Sequence, residues 1–284
     1  MHEHYTHTVG PPLLRYVTLA VGYRHAGAPP GVHVGMPSGT LTLVVPFDGP
    51  LVLSGAGLSR RTSFEGVLAG LVTAPTLIHH EGRQHGVQLA LTPAGVRALF
   101  GLPAAELAGR SVELEDVVGR VASFLRDELQ GYATWPERFA AIERIVLRLM
   151  RDNDSGREAS PEVMEAWGLI RRGRGSTPVA AVASQVGWSR RHLEHRFHGE
   201  FGITPKSAVR LTRFERSVAA VRDPRRSLAD VAAKCGYADQ SHLAREWREM
   251  AGLPPSRWRV EDGLAFVQDD RAARSAAWGH DDTH

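Results

Sequence analysis

Two groups of polar side chains in the C-terminal half of this 284-residue chain have the residue types that recognise nucleic acid. The first group contains Arg190, Arg191, His195 and His198, and the second contains Gln240, Ser241, Arg245 and Arg248. Arginine, glutamine, serine and histidine can form hydrogen bonds with base edges in the major groove. Steps of three or four residues place most members of each group on one face of a helix. Each group therefore fits a helix that reads double-stranded DNA.

A second set of arginines fits a different kind of contact with DNA. We expect Arg190, Arg225, Arg226 and Arg257 to contact phosphates. Phosphate contacts position a protein on DNA without specifying a sequence. We therefore expect Arg191, His195, Gln240, Ser241 and Arg245 to read bases, flanked by His198 and Arg248.

The two groups belong to an internal repeat. The segment VAAVASQVGW, which starts at Val179, matches LADVAAKCGY, which starts at Leu228. After these segments His192-Leu193, Phe197 and Gly202 match His242-Leu243, Trp247 and Gly252. The repeat offset is 49 residues before the turn and 50 after it. Apolar, glycine and aromatic positions all stay in step, which indicates two copies of one structural unit.

Each copy has the pattern of a helix-turn-helix. Gly187 and Gly236 stand at the turn, where a residue without a Cβ can adopt positive φ and reverse the chain. The predicted core of the first copy is Val179, Val182, Ala183 and Val186 on helix one, with Leu193 and Phe197 on helix two. Leu243 and Trp247 take the same places in the second copy.

The charge of the chain is concentrated around this repeat. Residues 165–260 carry 18 Lys and Arg and 9 Asp and Glu, a balance of +9, while the remainder has a balance of −6. A basic domain joined to an acidic one is typical of a protein that binds a polyanion with one part only.

Residues 161–260 resemble the DNA-binding domain of the AraC/XylS family of bacterial regulators. The resemblance rests on the second copy, with Leu-Ala-Asp-Val-Ala, Gly-Tyr, Gln-Ser-His-Leu, Trp, Gly and Pro-Pro followed by Trp-Arg. It implies an all-α domain in which a long helix over 205–222 joins two helix-turn-helix units. It also implies that both second helices enter successive major-groove segments, with Arg191, His195, Gln240, Ser241 and Arg245 at the base-reading positions. Arg191 and His195 depart from the usual family residues, so no operator sequence carries over.

The N-terminal half has a different pattern, that of short strands. Apolar stretches at 16–21, 40–46, 51–53, 67–72 and 87–91 are separated by turn residues, which favours a β-sandwich or barrel. Helical periodicity follows over 93–100, 114–129 and 136–151. The polar segment 153–160 reads as a linker, and 261–284 as a peripheral tail. We therefore expect an α+β two-domain chain, with a β-rich domain over 1–152 and a DNA-binding domain over 161–260.

The N-terminal half resembles the cupin-like sensing domains of the same regulators, in organisation only. The resemblance implies effector binding in a small barrel, dimerisation through the following helices, or both. The apolar stripe of 136–151 could form a dimer or could pack on its own barrel. The expected partner is double-stranded DNA, and RNA polymerase, a small-molecule effector and a second copy of the chain are further candidates.

Histidines supply the main alternative, a metal-dependent cupin-like activity. His79, His80, Glu81 and His85 lie close together in sequence, with His25 and His33 on nearby strand ends. Imidazole and carboxylate suit a transition metal, but adjacent residues on a strand point to opposite faces. We therefore expect loop histidines and no bound metal or other cofactor. His2, His4 and His7 are expected to form a flexible tail.

Other chemistries find less support. Cys235, the single cysteine, falls in the core position that Val186 occupies in the first copy, so we expect a buried thiol and no alkyl transfer. No nucleophile elbow, phosphate loop or dinucleotide fingerprint is present, and we expect no enzyme. A basic scaffolding protein is the remaining alternative. No apolar run is long enough to span a membrane and no signal peptide pattern is present, so the expected location is the cytoplasm.

Overall fold

The computed structural model describes residues 2–153 and 159–261. Ten strands and eleven α-helices are found in these ranges. All of the predicted tail over 261–284 except Glu261, and most of the predicted linker over 153–160, lie outside the described residues.

The strands of the described residues form two antiparallel sheets that pack face to face. They are β1 His2–His7, β2 Val17–Ala26, β3 Gly31–Gly35, β4 Leu41–Pro46, β5 Leu51–Gly55, β6 Leu58–Phe64, β7 Val67–Ala69, β8 Thr76–His80, β9 Arg83–Leu91 and β10 Ser111–Glu113. One sheet has the order β1-β2-β9-β4-β7-β10, and the other has the order β3-β8-β5-β6. The β-rich, cupin-like organisation predicted from the sequence is confirmed.

Strand β4 shows why its sequence is mostly apolar. Val44 faces the second sheet and packs in a cluster with Leu53 and Phe64. Leu43 and Val45 face the other side, where helices cover the larger sheet. A strand that is buried on both faces needs apolar residues at most positions, and only Thr42 in β4 is polar.

The N-terminal histidines form a strand, so the predicted flexible tail is wrong. β1 pairs with β2 in register from His2 opposite His25 to His7 opposite Ala20. Nε2 of His7 donates a hydrogen bond to the carboxylate of Glu143 over 3.0 Å, and the ring of His7 stacks on Phe139 with a centroid distance of 4.8 Å. β1 forms its backbone hydrogen bonds with the edge of β2. The polar composition of this segment alone did not predict the pairing.

Four helices cover the outer face of the larger sheet. They are α1 Pro93–Phe100, α2 Leu114–Val118, α3 Val121–Gly131 and α4 Trp135–Asp152. The single helix predicted over 114–129 is two helices, because Gly119 adopts φ 57° and ends α2. α4 begins at a capping box in which Thr134 and Glu137 bond each other's backbone N–H groups.

The apolar stripe of α4 is buried within its own domain. Phe139 is fully buried, and Ile142 and Val146 are 5% exposed. Of the two alternatives for this stripe, the structure shows packing on the barrel, and a dimer through it would require α4 to leave the sheet.

The C-terminal part of the described chain is entirely helical. Its helices are α5 Pro161–Arg172, α6 Val179–Gln185, α7 Arg190–Phe201, α8 Pro205–Val221, α9 Leu228–Cys235, α10 Gln240–Ala251 and α11 Pro255–Glu261. The long joining helix predicted over 205–222 is confirmed as α8. No described helix combines the length and the apolar character that crossing a membrane requires.

The two parts of the chain contact each other. Arg97 on α1 donates two hydrogen bonds to Glu200 on α7, from Nε over 3.0 Å and from Nη2 over 2.6 Å. Glu215 on α8 accepts a hydrogen bond from the backbone N–H of Gly39 over 2.9 Å. One continuous apolar cluster includes residues of both parts. The β-rich part therefore packs against α7, one of the two helices that carry the predicted DNA contacts.

Candidate DNA-binding interface

The first helix-turn-helix consists of α6, a turn and α7. Gly187 adopts φ 72° in the turn, and the backbone N–H of Trp188 bonds back to the carbonyl of Ala183 over 2.9 Å. Leu193 and Phe197 of α7 are fully buried, and they pack in one cluster with Val182 and Ala183 of α6. The positive φ at glycine lets α7 leave the turn across α6 rather than along it.

The second unit repeats this geometry with α9 and α10. Gly236 adopts φ 81° and ends α9, and the backbone N–H of Tyr237 bonds to the carbonyl of Ala232 over 2.9 Å. Trp247 is fully buried and donates its indole N–H to the hydroxyl of Ser217 on α8 over 2.8 Å. Both turns therefore have the same backbone conformation and the same backbone hydrogen bond, as the repeat predicts.

Matching caps fix the ends of α7 and α10. Ser189 and Asp239 are the N-caps, and their side chains accept hydrogen bonds from the backbone N–H groups of His192 and His242. Gly202 and Gly252 end the two helices in the left-handed conformation. Side-chain caps and C-terminal glycines stop a helix at a defined residue, so each predicted recognition helix has 12 residues.

All eight predicted DNA contacts are exposed on these two helices. They are Arg190, Arg191, His195 and His198 on α7, and Gln240, Ser241, Arg245 and Arg248 on α10. Arg190 bonds Glu194 one turn along the helix, with Nε 3.1 Å from Oε1. An exposed pair of this kind is weak, so a phosphate can replace the carboxylate.

Two of the predicted phosphate contacts are held by one aspartate. Asp223 accepts hydrogen bonds from Nε of Arg225 over 2.9 Å and from Nε of Arg226 over 3.1 Å. Hydrogen bonds from these two guanidinium groups lower the pKa of Asp223 far below its ordinary value. The pair stands next to Ser227, the N-cap of α9.

Two buried carboxylates of the recognition helices were not predicted. Glu200 is 9% exposed and Glu246 is 3% exposed. Arg97 binds Glu200, and Arg210 and Arg213 of α8 bind Glu246. Both carboxylates continue the core stripe of their helix, seven residues after Leu193 and three after Leu243. The sequence signal that could have found them is a charged residue within the apolar stripe of a helix. A buried charge requires a partner.

His79, His80 and His85 lie on strands β8 and β9, so the predicted loop position of these histidines is wrong, and they do not converge on one point. His79 bonds the hydroxyl of Ser54 over 2.8 Å, and His85 lies 3.1 Å from a carboxylate oxygen of Asp48. His33 packs near His80 with a centroid distance of 5.6 Å. Within the described ranges no three His, Cys, Asp or Glu side chains form a group that could hold a metal ion.

Cys235 lies in the core of the second unit. It is 2% exposed, and burial raises the pKa of its thiol. A buried thiol with a raised pKa is a poor nucleophile. The predicted core position of this residue is confirmed.

Comparisons with known proteins agree with this geometry. The family described as a helix-turn-helix domain, of the AraC type, matches residues 182–261. No curated protein sequence matches the chain. A solved structure of ToxT from Vibrio cholerae O395 has 12% identity and a TM-score of 0.50, and the match covers 86% of this chain and 97% of ToxT.

Two further ToxT structures from Vibrio cholerae are similar. One, solved at 1.65 Å resolution, has 10% identity and a TM-score of 0.51, and the match covers 85% of this chain and 98% of ToxT. The other, wild-type ToxT bound to an unsaturated fatty acid, has 13% identity and a TM-score of 0.50, with 87% and 97% covered. Residues 182–261 therefore form a helix-turn-helix domain of the AraC type, and the chain has a ToxT-like two-domain fold.

Proposed function

We propose that this chain is a transcription regulator and that it reads two successive major-groove segments of its operator with α7 and α10. The observation that supports this most is the repeated unit, in which two capped helices expose arginine, histidine, glutamine and serine on one face. A helix of this diameter fits the major groove of B-DNA, and its N-terminal residues reach base edges.

The roles of individual side chains follow from their positions. Arg191 and His195 read bases for the first unit, and Gln240, Ser241 and Arg245 read bases for the second. Arg190, Arg225, Arg226 and Arg257 contact phosphates, and His198 and Arg248 flank the base-reading set. We also propose that residues 1–152 receive the regulatory signal and that residues 161–260 bind DNA, in the cytoplasm of a bacterium.

The signal that we propose is an apolar small molecule. Between the larger sheet and helices α1, α3 and α4 lies a space with walls formed by aliphatic side chains and Phe100. Its volume is about 20 Å³, room for about one water molecule. A ligand enters only if a helix moves, and the absence of charge on its walls selects an apolar one. An unsaturated fatty acid, which ToxT binds, is the first compound to test, with its apolar chain in this space and its charged carboxylate outside it.

Contacts between the two parts connect the proposed ligand space to a recognition helix. α1 forms one wall of this space through Leu99 and Phe100, and Arg97 of the same helix binds Glu200 on α7. A displacement of α1 therefore changes the support of a recognition helix. RNA polymerase and a second copy of the chain remain candidate partners in this proposal.

In vitro selection of bound duplexes tests the assignment of the two helices. The full chain should select a site with two separate runs of preferred bases. Arg191→Ala should relax the preference in one run, and Arg245→Ala should relax it in the other. If both variants relaxed the same run, or neither changed it, the assignment of one helix to each groove segment would be wrong.

A further inference from the structure

A cleft between α8 and α10 has a chemistry that the DNA contacts described above do not use. Its volume is about 510 Å³, and its walls include Lys206, Arg210 and Arg213 of α8 and His242, Arg245 and Glu246 of α10. None of the α8 residues was among the predicted DNA contacts.

The floor of the cleft is a rigid ionic network. The buried carboxylate of Glu246 accepts hydrogen bonds from Nε of Arg210 over 3.1 Å and from Nη2 of Arg213 over 2.6 Å. Arg213 also lies over the ring of Tyr237, 4.7 Å from its centroid. Guanidinium groups held by a buried carboxylate and a ring lose little further freedom when they bind a ligand.

The cations of the cleft outnumber its carboxylates. Lys206, Arg210, Arg213 and Arg245 face Glu246 and Glu249, which leaves a net charge of +2. In the part of the chain that the structure describes, neither Lys206 nor Arg245 forms an ion pair. His242 accepts a hydrogen bond at Nδ1 from the backbone N–H of Ala238 over 3.3 Å. A neutral imidazole then carries its proton on Nε2, which is left as a donor.

The cleft adjoins the second recognition helix, α10, and its other wall, α8, directly follows the first recognition helix in the chain. α7 ends at Phe201, and Lys206 stands in the first turn of α8, opposite α10 across the cleft. Arg245, a proposed base-reading residue, stands in its wall. If Arg245 reads a base, as proposed above, the DNA backbone beside that base lies near the mouth of the cleft.

We propose that the cleft binds one backbone phosphate of the DNA strand between the two recognition helices. Lys206 neutralises the phosphate, Arg210 and His242 donate hydrogen bonds to it, and Glu246 is a positioning residue that holds Arg210. This inference rests on the proposed reading of DNA by α7 and α10, and it adds a contact that fixes the register between the two units.

The lysine content of the chain gives a direct test. Lys206 and Lys234 are the only lysines among the 284 residues. The full chain is acetylated with an amine-reactive reagent, with and without a duplex obtained by selection, and both sites are quantified by mass spectrometry. The reactivity of Lys206 relative to Lys234 should fall several-fold in the complex. An unchanged ratio would overturn the proposal.

A free phosphate has the same chemistry as a backbone phosphate, so a second arm separates the two sources. Inorganic phosphate at the same ionic strength should leave Lys206 reactive, because a single small anion lacks the rest of the DNA contact. If inorganic phosphate protected Lys206 as well as the duplex does, the cleft would be a site for small anions and the assignment to DNA would be overturned.

The salt dependence of DNA binding provides an independent measurement, with a control variant that removes the same charge elsewhere. Lys206→Gln should keep the base preference and reduce the slope of log K against log[salt] by about 0.9, the value for one phosphate contact. Arg61→Gln removes the same charge from an exposed position on β6 and should leave the slope unchanged. Equal slopes for wild type and Lys206→Gln would overturn the proposal. A chain that binds no duplex with sequence preference would instead contradict the proposed function.

Discussion

At the scale of single residues, the environment decides what each side chain can do. Arg245 and Arg225 are both exposed arginines of the second unit. Arg245 stands on the outer face of α10, whereas Arg225 is bonded to Asp223 before α9 begins. We propose that Arg245 reads a base edge and that Arg225 contacts only a phosphate, so the two arginines should contribute differently to sequence preference.

Alanine substitutions should separate these two roles. Arg245→Ala should weaken binding to the selected duplex by about 1–3 kcal/mol and relax the preference at one or two base pairs. Arg225→Ala should weaken binding to selected and random duplexes equally and reduce the salt slope. Gel-shift titrations on both duplexes measure this. Identical behaviour of the two variants on both duplexes would show that our division into base and phosphate contacts is wrong.

His33 makes the β-rich part sensitive to acid. Burial, and then the charges of His80 and His25, lower the pKa of His33 to about 3. The unfolded chain takes up a proton near pH 6.5, and the folded chain does not do so until about pH 3. The free energy of unfolding should therefore decrease as the pH falls from about 6.5 towards 3, by about 1–2 kcal/mol at pH 5.

Urea unfolding at pH 7 and pH 5 measures this effect. His33→Gln should show a smaller loss of stability between the two pH values than the wild type. The control is His198→Gln, because His198 is exposed on α7 and should leave the difference unchanged. A wild type equally stable at both pH values would refute the assigned role of His33.

At the scale of elements, the helix-turn-helix units were predictable and several strands were not. Apolar periodicity and the turn glycines are local signals, and two copies confirm each other. Strands β1, β3, β6, β8 and β10 were missed because their residues are polar, histidine-rich or interrupted by glycine, or because the strand is only three residues long. β6, for example, reads LSRRTSF and exposes its arginines. Pairing with distant strands forms these elements, and no local pattern records such pairing.

The same limit applies to the candidate site. The exposed residues of α7 and α10 could be predicted because a repeat fixes the inward face and leaves the opposite face outside. The partners of Glu200 and Glu246 could not, because Arg97 lies 103 residues before Glu200 and Arg210 lies 36 before Glu246. The sequence showed one charged residue in the core stripe of each recognition helix. It did not show which elements carry the arginines that bind these residues.

Two glycines of the first unit test the turn. Gly187→Ala should destabilise the fold by about 1 kcal/mol, because Gly187 has φ 72° and an alanine there is strained even in open space. Gly199→Ala lies inside α7, also in open space, and should stabilise the fold by about 0.5–1 kcal/mol. Thermal or urea unfolding of both variants gives the comparison. A neutral Gly187→Ala would contradict the need for glycine at this turn.

At the scale of the whole molecule, the two parts are joined by more than the linker. Gly202, at the end of α7, packs so closely on the β-rich part that an added Cβ would lie 2.2 Å from the Cβ of Ala108. The Arg97–Glu200 pair stands beside this contact, and both of its side chains are less than one-fifth exposed. The position of the first recognition helix thus depends on the domain that we propose to receive the signal.

Removal of one partner of this pair should be costly. Arg97→Ala leaves Glu200 buried without that guanidinium, and it should lower the free energy of unfolding by about 3 kcal/mol. Arg144→Ala breaks the pair with Glu128, in which Arg144 is 60% exposed, and should change stability far less. Urea unfolding of the full chain compares the two. If both variants lost the same small amount, the contact between the parts would not be a stabilising one.

The central claim is that both helix-turn-helix units read one DNA site together, and a hydroxyl-radical footprint tests it most directly. The full chain is bound to a selected duplex, and cleavage of each strand is mapped. We expect two protected segments on one face of the DNA, with centres about 10 base pairs apart, as two major-groove segments require. A single protected segment, or protection that is the same on random DNA, would contradict the account.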